Sequence, residues 1–114
     1  MLDLVNALGL KLPVIQAPMA GTSTPALAAA VSNAGGLGCL GLGAMSPQAA
    51  AQAMADTAAL TDRSWGVNVF CHRPAPQDPA AEAAWLDRLR PHFARMGATP
   101  PESLRAVYAS LLQD

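Results

Sequence analysis

The hydrophobic positions in the first 70 residues fall into three short runs, separated by polar and glycine-rich stretches. The runs cover Pro13–Ala17, Gly38–Leu42 and Gly66–Phe70, and each is five residues long. Short apolar runs bounded by glycine or proline are typical of strands that are buried in a parallel sheet. The pattern therefore predicts three strands joined by crossover connections.

Both connections between these runs contain the same helix-start signal, a hydroxyl side chain followed by proline. Thr24-Pro25 and Ser46-Pro47 each place an N-cap oxygen ahead of a proline at the first helical position. We predict one helix from Pro25 to Ala34, ending at Gly35-Gly36, and a second from Pro47 to about Leu60. The alternation of strand and helix indicates a parallel sheet with crossover helices.

The spacing of apolar residues predicts which face of each helix is buried. The first helix is expected to bury Leu27, Val31 and Ala34. The second is expected to bury Ala50, Met54 and Ala58. The glycines of Gly36-Leu37-Gly38 and Gly41-Leu42-Gly43 lie at the two ends of the second run, where we expect them to make tight turns.

The distances between strand starts favour a barrel. The starts lie near residues 13, 38 and 66, which is 25 and 28 residues apart. A full eightfold β/α barrel needs about 250 residues, or roughly 31 per unit. A doubly wound sheet has a similar period, but no G-x-G-x-x-G fingerprint joins the first strand to the first helix. The fold class predicted is α/β, a partial (β/α)8 TIM barrel containing about the first three β/α units, over residues 12–70.

Residues 71–114 are predicted to form a loop followed by extra helices. Proline-rich residues 71–79 indicate an extended loop, and Asp78-Pro79 opens a helix. We expect Pro91 to kink or end that helix near Arg90. Its apolar side is predicted to carry Trp85, Leu86, Leu89 and Phe93. A further helix is predicted after Pro100-Pro101, with an apolar stripe of Leu104, Val107, Tyr108, Leu111 and Leu112.

Composition excludes several classes of protein. Alanine accounts for 25 of the 114 residues and aromatic residues for only 4%, so few large side chains are available for a core. The net charge is −1 and the basic residues are scattered, which argues against nucleic acid or an anionic membrane as a partner. The longest strictly apolar run, Ala26–Val31, is far too short to span a bilayer. Two cysteines give no disulfide framework, so a cytoplasmic location is expected.

The segment Gln16-Ala17-Pro18-Met19 is the first candidate for chemistry. Pro18 lacks an N–H, so a central strand must leave the sheet there, at the rim where barrel enzymes place their sites. The small Ala17 lets a flat ligand approach the backbone, and Met19 offers a soft apolar contact. The alternative interpretation is a strand that simply ends in a turn.

Asn68, between two valines of the third run, is the second candidate. An amide in that position is expected to point to the barrel interior or its rim, where its donors and acceptor match the pyrimidine edge of a flavin. The alternative is a structural asparagine that is bonded to a neighbouring backbone group. His72 and Cys71 are adjacent on an extended chain and point to opposite sides, so neither a catalytic nor a metal residue is assigned.

These segments resemble the start of the nitronate monooxygenase (2-nitropropane dioxygenase) family. The likeness lies in Val14–Gly21, Ala28–Gly38, Leu60–Arg63 and Gly66–Asn68. The resemblance implies FMN bound non-covalently at the mouth of a TIM barrel, and oxidation of alkyl nitronates by O₂. It places Ala17, Pro18 and Met19 along the flavin ring and Asn68 at the polar edge of the ring.

The resemblance also implies that residues 1–114 are an N-terminal fragment of such a barrel. The family's catalytic histidine and the glycine-rich segments for the FMN phosphate belong to later strands, so no catalytic residue is expected here. The isolated chain is then expected to bind FMN weakly or not at all, and to need the C-terminal part of the barrel as a partner. One alternative is an FMN-dependent enoyl-acyl-carrier-protein reductase-like barrel, whose members usually carry glycine in place of Ala17-Pro18. Another is a non-catalytic truncated fragment.

Overall fold

A computed structural model of the protein describes residues 3–73, 76–104 and 110–111. Within them the chain alternates helices with two parallel strands. The elements are α1 (Leu4–Ala7), α2 (Pro25–Asn33), β1 (Gly38–Gly41), α3 (Pro47–Leu60), β2 (Trp65–Asn68) and α4 (Pro79–Arg95). None of these helices is both long enough and apolar enough to cross a membrane.

The three longer helices begin where the capping signals predicted. The side chains of Thr24, Ser46 and Asp78 each accept a hydrogen bond from the backbone N–H three residues on, at 3.1, 3.2 and 3.0 Å. Each cap is followed by a proline at the first helical turn. The short α1, capped by Asp3, was not predicted, because four residues are too few to show a helical period.

The sheet is smaller than predicted. β1 and β2 pair in parallel over four residues each, with Gly41 opposite Asn68. The first apolar run does not form a full strand and contributes only an isolated parallel bridge between Ile15 and Leu37. The physical reason is that Pro13, at the start of this run, and Pro18, directly after it, lack an N–H, so few of its residues can join a ladder.

A small core lies between the sheet and helices α2 and α3. Ala28, Leu40 and Leu42 are buried there, with Trp65 packed against them. The contact of α2 with β1 is unusually close, because a Cβ atom on Gly38 would lie 1.9 Å from the carbonyl oxygen of Ala28. Glycine at this position lets the backbones of helix and strand approach each other. The expectation of a tight turn here was wrong.

This close approach also changes which side of α2 is buried. Ala28, Ala29 and Ser32 are the buried residues of the helix. Among the residues predicted to be buried, Leu27 and Val31 are only half-buried and Ala34 is exposed. Only small side chains fit where the helix backbone lies against the strand, so the larger residues are displaced to the margins.

The buried side of α3 differs from the prediction in a similar way. Thr57 is buried and Ala53 is half-buried. Among the residues predicted to be buried, Ala50 is half-buried, whereas Met54 and Ala58 are exposed. Thr57 tolerates burial because its hydroxyl donates a 2.8 Å hydrogen bond to the carbonyl oxygen of Ala53. A polar residue satisfied by its own helix gives no hydrophobic signal in the sequence.

Helix α4 continues through Pro91 to Arg95, so the prediction that it could end near Arg90 is wrong, and the alternative of a kink there stays a prediction. A proline removes one hydrogen bond, to the carbonyl four residues earlier. Here that carbonyl belongs to Asp87, an exposed residue, so water can replace the lost donor. On the predicted apolar side Leu86 is buried, but Trp85 is largely exposed.

The remaining C-terminal predictions are only partly covered by the described residues. Residues 71–73 and 76–78 form no helix or strand, as expected for a loop, and Pro74 lies outside the described residues. Most of the stripe predicted after Pro101 also lies outside them, including Val107, Tyr108 and Leu112. The radius of gyration is 19.4 Å, against about 13 Å for a compact chain of this length.

Candidate functional site

The two segments predicted to carry chemistry meet at the C-terminal end of the sheet. Gly41, the last residue of β1, is the register partner of Asn68 on β2. The loop after the first run lies over the side-chain face of Gly41, because a Cβ atom on Gly41 would lie 3.1 Å from the nitrogen of Ala20 and 3.3 Å from the carbonyl carbon of Met19. Gly41 itself lies in the strand and permits this close approach. The tight turn predicted at this end of the run follows directly, because the N–H of Met45 donates to the carbonyl of Leu42 at 2.9 Å across Gly43.

Side-chain alternation fixes the direction of Asn68. Leu40 is fully buried in the helix-facing core, and its register partner Val67 lies on the same face. Gly41 and Asn68 therefore lie on the opposite face, away from α2 and α3. Asn68 is exposed, and its side-chain amide makes no hydrogen bond to the described residues. The role of Asn68 stays a prediction.

The loop is shaped by two polar side chains, Gln16 and Ser23. The Gln16 amide oxygen accepts a 3.0 Å hydrogen bond from the N–H of Cys39, and its amide nitrogen donates to the Ser23 hydroxyl at 2.8 Å and to the carbonyl oxygen of Ala17. The Ser23 hydroxyl accepts from the Met19 N–H at 2.8 Å and donates to the Ala17 carbonyl at 3.2 Å. We refer to these two residues as the Gln16–Ser23 clamp.

A tight turn completes the loop. The carbonyl oxygen of Met19 accepts hydrogen bonds from the N–H groups of Thr22 and Ser23, at 3.1 and 2.8 Å. Gly21 adopts a left-handed conformation, with φ of 76°, which residues with a side chain seldom adopt. The turn leaves Ala17, Pro18 and Met19 exposed, and Met19 retains 40% of its accessible surface. We call Ala17–Met19 the ledge.

The ledge and the adjoining strand ends are electrically neutral. Residues 16–23 and both strands contain no charged side chain. Cys39, which lies on the same face as Gly41, is buried, and this burial raises the pKa of its thiol against a smaller opposing effect of a backbone hydrogen bond at Gly66. The thiol is therefore protonated at neutral pH and poorly suited to act as a nucleophile.

His72 gains no catalytic support from its position. It is exposed, and its ring lies 6.2 Å from the ring of Phe70. Within the described residues no group of three histidine, cysteine or acidic side chains is placed to hold a metal ion. The exposed Asn68 amide and the apolar ledge form a surface suited to a flat, neutral heteroaromatic ring that has one polar edge.

Sequence reasoning did not identify the clamp. Gln16 was noted only as part of the Gln-Ala-Pro-Met segment, and Ser23 received no role, since an isolated loop serine carries little information. One signal was available. A polar side chain directly before the point where proline forces a strand to end is well placed to replace the lost backbone acceptor.

The sequence profile of a family described as "Nitronate monooxygenase" matches residues 3–97. A nitronate monooxygenase from Paraburkholderia phytofirmans is 58% identical over 111 residues, which cover 97% of this chain and 30% of the relative. A nitronate monooxygenase from Pseudomonas aeruginosa is 52% identical over 107 residues, which cover 94% of this chain and 30% of that relative. The chain thus spans about 30% of the length of these relatives.

Solved structures give the same picture. A nitroalkane oxidase from Streptomyces ansochromogenes superimposes with a TM-score of 0.68 at 38% identity, over 82% of this chain and 26% of that protein. FabK from Thermotoga maritima superimposes with a TM-score of 0.58 at 34% identity, over 83% of this chain and 27% of that protein. The described fold therefore corresponds to about a quarter of these larger proteins.

Proposed function

The chain belongs to the nitronate monooxygenase family, and from that premise we propose that it supplies the ring-binding start of an FMN-dependent enzyme that oxidises alkyl nitronates with O₂. In this proposal residues 12–70 are the first three β/α units of a TIM barrel, and residues 71–114 are a loop and helical segment attached to them. The substrates are a small nitronate and O₂.

Each site residue has a distinct role in this proposal. One side of the isoalloxazine ring rests on the ledge, which consists of Ala17, Pro18 and Met19. The Asn68 amide forms hydrogen bonds with the pyrimidine edge of the ring. FMN, when bound, carries electrons from the nitronate to O₂. The protein residues orient the ring and cover one side of it.

The observation that carries the proposal is the convergence at Gly41. The ledge lies over the side-chain face of this residue at Met19, and Asn68 is the register partner of Gly41 on the same face, so the ledge and the amide share one rim. Adjacent strands are about 4.8 Å apart. The ledge and the Asn68 amide are therefore close enough for a ring system of flavin size to contact both.

The described residues provide only part of such a site. Phosphate sites of barrels usually come from the loops after strands seven and eight. The family's catalytic histidine is also expected on a later strand. We therefore expect the purified 114-residue chain to show no measurable nitronate oxidation and to bind FMN weakly, because the contacts that hold the phosphate lie elsewhere.

An enoyl-acyl-carrier-protein reductase-like activity is the second candidate. The block Ser32–Gly36, which related flavin barrels share, supports both activities equally because its role is structural. The Ser32 hydroxyl accepts a hydrogen bond from the N–H of Gly38, and Asn33 donates to the carbonyl of Leu60. The ledge is more discriminating, because these reductases usually carry glycine at the positions of Ala17 and Pro18.

A chimera tests the proposal. Residues 1–97 of this chain would replace the matching start of the Pseudomonas aeruginosa relative, and the product would be assayed with propyl nitronate and, separately, for NAD(P)H-dependent enoyl reduction. We expect a yellow protein that oxidises the nitronate and loses FMN affinity on Asn68→Ala. Gln52→Ala, an amide deletion on the solvent side of α3, is the control. Enoyl reduction in place of nitronate oxidation would favour the second candidate, and unchanged FMN affinity in Asn68→Ala would contradict the assignment of Asn68.

A further inference from the structure

We propose that Gln16 and Ser23 are positioning residues that hold the ledge in its ring-facing geometry before any ligand arrives. This inference rests on the proposed function, because it identifies what orients the wall of the same site. Neither residue is expected to touch the ring. Both act through the backbone of Ala17 and Met19.

Gln16 lies where the sheet pairing of the first run stops. Its backbone N–H donates to the carbonyl of Leu37 at 2.9 Å, as in a parallel ladder. The next donor along β1 is the N–H of Cys39, and it bonds the Gln16 side-chain oxygen at 3.0 Å. The side chain thus replaces a backbone acceptor, which leaves the main chain free to turn away at Pro18 without an unsatisfied group in β1.

Ser23 fixes the other end of the ledge. Ser23 is only 6% exposed, and its hydroxyl participates in three hydrogen bonds, with the Met19 N–H, the Ala17 carbonyl and the Gln16 amide. A hydroxyl has one donor and two acceptor positions, so these three bonds use its full capacity. Such a fully satisfied network specifies one arrangement of the loop.

The clamp determines what the ledge presents to a ligand. The two polar backbone groups that flank Pro18 are the Ala17 carbonyl and the Met19 N–H, and both are bonded to clamp residues. Pro18 itself has no N–H. The outward surface is therefore mostly apolar, which suits the face of a neutral aromatic ring and leaves polar recognition to Asn68.

Hydrogen exchange on the purified 114-residue chain tests the clamp without any ligand. We expect the amide hydrogens of Met19 and Cys39 to be protected in the native chain, as measured by NMR. Ser23→Ala should speed exchange at Met19 by about tenfold, the loss expected for one hydrogen bond. Gln16→Leu should do the same at Cys39. Ser23→Thr keeps the hydroxyl and should restore protection, and Thr22→Ala, an exposed hydroxyl deletion one residue away, is the matched control.

A second readout connects the clamp to the flavin. FMN added up to millimolar concentration should shift the amide signals of Met19 and Asn68, a signature visible even for weak binding. In Ser23→Ala and Gln16→Leu the shift at Met19 should fall at least severalfold, whereas Thr22→Ala should leave it unchanged. Gln16→Glu keeps the oxygen for Cys39 but removes the donor to Ala17, and should give an intermediate loss.

The outcomes separate the two proposals. Fast exchange at Met19 and Cys39 in the native chain would overturn the clamp, whatever FMN does. Protected amides together with unchanged FMN affinity in the Asn68→Ala chimera would instead overturn the flavin assignment, and with it the positioning role, while leaving the hydrogen bonds in place. Equal FMN shifts in the native chain and both clamp variants would show that the clamp is structural only.

Discussion

The two strands have equal length and face each other residue by residue, yet their surroundings differ. All four residues of β1 are buried, whereas β2 begins with two half-buried residues and ends with two exposed ones. β1 is covered by α2 and lies between the first run and β2. β2 has one strand neighbour in the described residues, and its exposed end carries Asn68.

This difference separates stability from the candidate function. Parallel sheets are ordinarily covered on both faces, so an exposed strand end is a place where a ligand or further elements can bind. The residues of β1 hold the fold together. The end of β2, with the ledge beside Gly41, presents side chains that the fold itself does not use.

The largest effect is expected from Gly38→Ala in β1. The added Cβ would lie 1.9 Å from the Ala28 carbonyl oxygen, so α2 must move away from the strand. Overpacking against backbone should lower the free energy of unfolding by about 3 kcal/mol or more. Urea denaturation followed by circular dichroism measures the loss. Gly41→Ala is the control: its Cβ would lie 3.1 Å from the Ala20 nitrogen, which requires a shift of only a few tenths of an ångström, so it should cost clearly less than Gly38→Ala.

A smaller effect should distinguish two residues that are register partners. Leu40 is fully buried and Val67 is 48% exposed. Leu40→Ala should lower the free energy of unfolding by roughly 2.5 kcal/mol because it leaves a cavity. Val67→Ala should cost less than about 1 kcal/mol. Similar losses in the two variants, again measured with urea, would contradict the contrast between the strands.

Thiol chemistry gives a third and milder test. Cys71 is exposed and should react with a maleimide at once, whereas Cys39 should react only as the chain unfolds. Burial raises the pKa of Cys39, so the folded state holds this proton more tightly than the unfolded state. The stabilisation is complete at neutral pH and is lost as the pH rises through the raised pKa.

Replacing Cys39 tests whether its raised pKa lowers the stability of the folded state at alkaline pH. Cys39→Ala should flatten the alkaline decline in stability, measured by urea midpoints at increasing pH, and Cys71→Ala should leave it unchanged. Prompt labelling of both thiols in the native chain would show that β1 is less protected than the structure indicates.

Local signals predicted the starts of the three longer helices well. The N-cap residues Thr24 and Ser46 and the prolines that follow them fix the starts of α2 and α3, because capping depends on neighbouring residues alone. The family resemblance, confirmed by the comparisons, was carried by a contiguous motif. Buried faces were predicted poorly, since the close approach at Gly38 is a property of two segments together.

The clamp shows the same limit at the candidate site. Gln16 and Ser23 are seven residues apart and meet only because the turn at Gly21 brings them together. The apolar character of the ledge could be predicted from its composition. The hydrogen bonds that direct its backbone inward depend on tertiary contacts, for which a single sequence has no periodic signal.

The most direct test of the shared rim is a cross-link between the ledge and β2. In a Cys39→Ala, Cys71→Ala chain, Met19→Cys and Asn68→Cys should be joined by a short bis-maleimide, because Met19 lies over Gly41 and Gly41 is one strand spacing, about 4.8 Å, from Asn68. Met19→Cys with Ser64→Cys is the control and should not be joined, because Ser64 precedes Asn68 by four residues, about 13 Å of extended chain. Equal bridging in the two pairs, or bridging in the control alone, would contradict a common ring-sized site.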